Sequence, residues 1–157
     1  MSSTTPKNID RTQGILPQKE KGSLQPIPCK AVEEERRMQL ERLAAGFRLF
    51  ALYGFDEGLA GHITYRDPEF KDHFWVNPLG VNFAQICISD LLLVNEGGSI
   101  IQGERPLNPA AFSIHSAVHK ARPDANSAAH AHSIFGRSFS SLGKMLDPIT
   151  QDSAIFF

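Results

Sequence analysis

From residue 31 onward, the apolar positions follow first a rhythm of three to four residues and then fall into short β-rich runs. The run AVEEERRMQLERLAAGFRLFALYGF places Leu40, Leu43, Ala44, Phe47, Phe50 and Ala51 on one helical face. Glu33, Glu34 and Glu35 open it, where the helix dipole favours negative charge, and Gly54 can stop it in the left-handed conformation. Such a stripe predicts an amphipathic helix packed on a core. Short β-rich runs follow. LAGHITYRD and HFWVNPLG each predict a strand, the second closed by Asn77-Pro78 and Gly80. DLLLVNEGGSIIQGE predicts a hairpin, Leu91 to Val94 and Ser99 to Gln102 around a turn at Glu96-Gly97-Gly98. Pro109 opens PAAFSIHSAVHKA as a helix that Arg122-Pro123-Asp124 ends. ANSAAHAHSIF alternates again as a strand, and a further helix is expected to begin around Ile134. This order of helix, strands, helix, strand, helix is that of a layered α/β domain.

Residues 1–30, rich in Ser, Thr, Pro, Gln and Lys with scattered apolar positions, read as a disordered tail, leaving 31–157 as the domain. With 157 residues and 41% hydrophobic composition, the chain has material for one core. Its 16 basic and 17 acidic residues leave no basic surface for nucleic acid or an anionic membrane. Cys29 and Cys87 are too far apart for a paired-thiolate motif, which removes a disulfide framework and a four-thiolate zinc site. The N-terminus has no signal-type apolar stretch and no long apolar run occurs, so a cytoplasmic protein is expected.

Candidate chemistry gathers in SAAHAHS, 127–133. On a strand, residues two apart face the same way with Cα atoms about 7 Å apart, so His130 and His132 could converge on one ion; on a helix they would diverge. Imidazole nitrogen suits zinc, manganese, iron, nickel or copper, and an HxH pair can equally be hydrogen-bonded and structural. His115 and His119 share a helical face, but beside Phe112 they read more readily as core histidines held by hydrogen bonds. His62, after Gly61 at a strand start, could line a pocket, and His73 reads as structural.

Taken together, GLAGHIT (58–64), WVNPLGVNFAQICISDLLLVN (75–95), GERPLNPAAFSIHSAVHKARPDANSAAHAHS (103–133) and LDPITQDS (146–153) resemble, in order and spacing, the class II aldolase/adducin family. The resemblance implies a three-layer α/β/α sandwich around a mainly antiparallel sheet, and commonly a homo-oligomer with active sites near subunit contacts. It also implies a divalent ion, zinc first with iron or manganese as alternatives, on His130 and His132. In such enzymes the ion polarises a substrate carbonyl and an adjacent hydroxyl. Gly61, His62 and Thr64 fall on the family's Gly-Asn-hydroxyl substrate element, with His62 in place of Asn. Asn108 and His115 are the other candidate substrate-binding positions.

Two features depart from the family pattern. Alignment back from the HxH pair puts the aldolases' acid/base carboxylate at Ala111, which cannot move a proton, and Pro109 and Ala110 replace phosphate-binding hydroxyls. No catalytic residue is therefore assigned. The family's third histidine lies farther downstream, and the apolar ending Ala154-Ile155-Phe156-Phe157 suggests a domain incomplete at its C-terminus. Three readings stay open: a metalloprotein using a small oxygenated substrate in chemistry other than retro-aldol cleavage, an adducin-like non-catalytic domain associating with the actin cytoskeleton, and an inert fragment.

Overall fold

The structure, a computed structural model, describes residues 31–157; the tail expected at 1–30 lies outside the described residues. The chain divides into two compact units, and the whole sheet belongs to the one that ends at Leu142. Helix α1 (Val32–Leu52) leads into strands β1 (His62–Arg66), β2 (His73–Val76), β3 (Leu92–Asn95) and β4 (Ile100–Gln102). Helix α2 (Pro109–Ala121), strand β5 (Ser127–His130) and helix α3 (Ile134–Ser140) follow. The strands form one sheet in the order β4-β3-β2-β1-β5, every neighbouring pair antiparallel. In the other unit, Gly143–Phe157 carries a short helix, α4 (Gln151–Ala154), whose first turn is closed by Thr150 accepting from the Ser153 N–H.

Alternation along the strands sorts side chains between two helices. Ile63, Trp75 and Leu93 join Leu43 and Phe47 of α1, with Phe83, Ile86 and Leu91, in one apolar cluster. Phe74, Val76, Leu92 and Val94 point the other way and pack with Ala111 and Phe112 of α2. Register continues this second face into β1 and β5, where Thr64 pairs with Val76, His62 with His130 and Thr64 with Ala128. The α2 side of the sheet is thus apolar at β2 and β3 and polar at β1 and β5. Ala129, on the α1 side of β5, is exposed, so the close helix packing that a small residue there could allow is not used.

The far end of β1 is tied down by Asp67. Its fully buried carboxylate accepts from Arg36 Nε at 2.8 Å, Trp75 Nε1 at 2.9 Å and the backbone N–H groups of Glu69 and Phe70 at 2.9 and 3.0 Å. At the near end, Gly61 leaves room for a ring: a Cβ there would lie 2.5 Å from Phe83 Cζ and 3.3 Å from the His130 carbonyl oxygen. Gly61→Ala is expected to cost about 1–3 kcal/mol through overpacking, read as a lower urea midpoint at unchanged slope. An unchanged midpoint would show that Phe83 moves aside freely.

Differences from the sequence pattern are local. The hairpin strands run Leu92–Asn95 and Ile100–Gln102, with a register irregularity at Leu93/Val94. β5 stops at His130, because β1, its only partner among the described residues, begins at His62 opposite it. His132 therefore lies beyond the strand, in the link whose Ser133 side chain accepts from Gly136 N to cap α3. Among the described residues no helix is long and apolar enough to cross a membrane.

Candidate metal centre and its histidine network

Five of the six histidines gather on the α2 face of β1 and β5. The half-buried His130 and His132 rings meet nearly perpendicular, with their Nε2 atoms 2.8 Å apart. At that separation one nitrogen donates and the other accepts, so a single proton lies between them. Burial first, and then the charge of His132, push the His130 pKa down. His62 stacks on His130 at 5.1 Å and 13°, and His115 meets His62 edge-on at 5.3 Å. Burial, with the neighbouring imidazoles adding to it, lowers both His62 and His115 to about 4, so both are neutral at pH 7.

Behind this group runs a buried chain of hydrogen bonds. Thr64 Oγ1 lies 2.7 Å from His115 Nδ1 and 2.9 Å from His119 Nε2. His119 stacks on Phe74 at 5.2 Å, and its Nδ1 faces Arg66 Nη2 at 3.3 Å. Burial and then Arg66 lower the His119 pKa, with the Ala125 carbonyl acting in the opposite sense. Arg66 also donates to the carbonyls of His119, Arg122 and Ala125, gathering the C-terminal end of α2. Among the described residues, two ring nitrogens, His62 Nδ1 and His115 Nε2, are buried without a partner.

The sequence-predicted residues separate into groups. His62, Thr64, His115, His130 and His132 come together. Asn108 sits at the start of α2, where its Oδ1 caps the helix by accepting from Ala110 N at 2.9 Å and Ala111 N at 3.4 Å. Gly61 contributes its carbonyl, which accepts from Asn77 Nδ2 at 3.3 Å, while Asn77 Oδ1 is buried without a partner among the described residues. His73 is bound locally to Asp72. The pattern understated His119, which joins the network through Thr64, and gave no sign of Arg66, because an arginine ending a strand usually reaches solvent. One available signal was that Thr64 and Arg66 share the strand face of His62, opposite the helix face holding His115 and His119.

Two imidazole nitrogens on one ion, each about 2.0–2.1 Å from it, stand roughly 3 Å apart, so a slight opening of the pair would admit a cation. Among the described residues, no group of three or more His, Cys, Asp or Glu side chains is placed to enclose an ion. The pair is a two-nitrogen platform. Ala111 is fully buried in the apolar cluster with Phe74, Val76, Leu92 and Val94 rather than facing a cleft. Ala111→Glu is thus expected to bury an unpaired carboxylate and destabilise the fold by about 3 kcal/mol. Thermal unfolding checks this; an unchanged midpoint would show that the position opens to water.

Comparison with known proteins agrees with this architecture. The profile of the Class II Aldolase and Adducin N-terminal domain matches residues 41–157. The Meiotically up-regulated gene 14 protein of Schizosaccharomyces pombe is 44% identical over 124 residues, 78% of this chain and 48% of its own length. Decarboxylase NovR of Streptomyces niveus is 42% identical over 135 residues, 85% of this chain and 50% of its own length. The structure of L-fuculose 1-phosphate aldolase from Glaciozyma antarctica superposes with a TM-score of 0.79 at 51% identity, covering 82% of this chain and 53% of that one. The chain thus spans about half the length of the relatives it matches.

Proposed function

Because the chain belongs to the class II aldolase and adducin N-terminal domain family, we propose that His130 and His132 hold a divalent ion used on a small oxygenated substrate of the sugar or keto-acid kind. The observation carrying this reading is the convergence of the two Nε2 atoms to 2.8 Å. Zinc is the first choice, with iron or manganese as alternatives, because the donors are neutral imidazoles. A bound ion would supply Lewis-acid polarisation of a substrate carbonyl or hydroxyl. The protein's part is to hold His130 in place by the His62 stack, to release the proton shared by the pair, and to line the site with His115. The fold in this reading is the family's three-layer α/β/α sandwich, with α1 and α2 as its outer layers. Exposure of Ile134 at 64% and Phe135 at 87% on α3 favours a homo-oligomer.

The reaction proposed is not retro-aldol cleavage of a sugar phosphate. Ala111 occupies the aligned acid/base position, Pro109 and Ala110 offer no hydroxyls to a phosphate, and a positioned acid or base is worth about 10²–10⁴ in rate. Assayed with zinc content verified, beside the Glaciozyma antarctica protein that bears the aldolase name, this chain is expected to leave L-fuculose 1-phosphate intact. Robust cleavage would mean that the acid lies elsewhere. Substrate binding is tested with cobalt(II) in place of zinc: pyruvate should change the cobalt absorption of the wild type. A spectrum indifferent to pyruvate and to simple hydroxy acids would remove the keto-acid reading. A second reading, an adducin-like domain that binds the actin cytoskeleton without catalysis, is favoured by the methyl group at Ala111.

A further inference from the structure

We propose that Arg66, acting through His119 and Thr64, fixes His115 as the tautomer with its proton on Nε2. His115 then presents a hydrogen-bond donor to the histidine site rather than a third nitrogen ligand. The inference deepens the metal-site reading in its functional consequence, while the tautomer assignment itself stands without any ion.

Donors and acceptors alternate along one buried line from Arg66 to His115. A guanidinium has only N–H groups to offer, so the 3.3 Å contact between Arg66 Nη2 and His119 Nδ1 is a hydrogen bond when Nδ1 presents a lone pair. The neutral His119 ring then carries its proton on Nε2, which lies 2.9 Å from Thr64 Oγ1 and donates to it. Having accepted from His119, the hydroxyl turns its own proton to its nearest acceptor, His115 Nδ1 at 2.7 Å; the Ala128 carbonyl, at 3.5 Å, is a poorer one. With Nδ1 accepting, neutral His115 carries its proton on Nε2, the nitrogen buried without a partner. An unpartnered N–H in a 1% exposed side chain is costly by itself and is satisfied once a ligand oxygen or a water enters beside it. The other orphaned nitrogen, His62 Nδ1, is on the adjacent ring.

A competing arrangement runs through the same atoms in reverse. Were His119 to donate from Nδ1 to the Ala125 carbonyl, Thr64 would donate to His119 and accept from His115, leaving His115 Nε2 with a lone pair free to bind metal. Such a proton would point toward a cation 3.3 Å from Nδ1, whereas Arg66 Nη2 itself reaches the Ala125 carbonyl at 3.4 Å. The charge of Arg66 therefore selects the first arrangement. Arg66 and Thr64 are positioning residues here, acting on His115 without meeting the ligand.

The test is long-range ¹H–¹⁵N correlation on the metal-free full chain labelled at histidine nitrogen, at neutral pH. The wild type is expected to show bare Nδ1 and protonated Nε2 at both His115 and His119. A proton on Nδ1 of either ring, or an even mixture at either, would overturn the proposal. In Arg66→Met the protonated nitrogen of His119 and of His115 should reverse, and an unchanged His115 would take the control away from Arg66. Thr64→Val gives a second check should the arginine variant not fold: His119 should keep its tautomer while His115 becomes mixed, and a His115 signal unaltered by the loss of the hydroxyl would also overturn it. No ion enters these measurements, so a failure of metal binding at His130 and His132 is seen separately.

Discussion

Asp67→Ala is expected to cost about 3–5 kcal/mol, the range for removing one partner of a buried charge pair, and to leave little folded protein at 37 °C. The carboxylate joins three parts of the chain. It accepts from Arg36 on α1, from Trp75 on β2 and from two backbone N–H groups in its own turn. Alanine leaves the Trp75 N–H without an acceptor in a residue that is 3% exposed, and leaves Arg36 with only its bond to the exposed Glu69. The same group gives the fold an acid limit. Burial alone would raise its pKa, but the hydrogen bonds from Arg36, Phe70, Trp75 and Glu69 outweigh burial and bring it from 3.8 down to about 2. A depressed carboxylate pKa contributes stability in full above the unfolded value, lost as pH falls through the folded one. About 2 kcal/mol should therefore disappear between pH 4 and pH 2. Asp67→Asn should flatten this part of the stability curve, and an identical acid dependence in both proteins would remove Asp67 as its source.

The second large effect is on metal. His130→Ala or His132→Ala should weaken zinc binding by at least about 100-fold, because one imidazole alone does not make a chelate. The two losses should not add, since either variant already destroys the platform. Acid should act in the same direction: an ion held by the pair would have to displace the proton shared between the two Nε2 atoms, so affinity should fall as pH is lowered. Equilibrium dialysis at several pH values checks both; variants binding zinc as well as the wild type would place the ion elsewhere.

Much of the sheet was legible because β1 alternates and β2 and β3 are short apolar runs buried on both faces. The β1 run His62–Arg66 places its apolar Ile63 and Tyr65 on the α1 face, and the Pro109 and Arg122-Pro123-Asp124 signals bound α2 at its observed limits. The HxH spacing put His130 and His132 on one face of a strand, whereas β5 ends at His130 and the two rings meet with His132 in the link that follows. What remained hidden depends on contacts distant in sequence. Asp67 beside Pro68 signals a turn, yet its partner Arg36 is 31 residues away. The role of His119 follows from Thr64, 55 residues before it, and Ala111 could be matched to an acid position by alignment but not seen to be buried under Phe74 and Val76.

The most direct test of the metal-site reading is a zinc titration of the 157-residue chain in competition with a chelating indicator, alongside the protein carrying both His130→Ala and His132→Ala. The expected result is one zinc per wild-type chain with a Kd of micromolar order or weaker, as befits two protein ligands, and no comparable binding by the double variant. Absence of binding by the wild type at millimolar zinc, or equal binding by the double variant, would contradict the assignment.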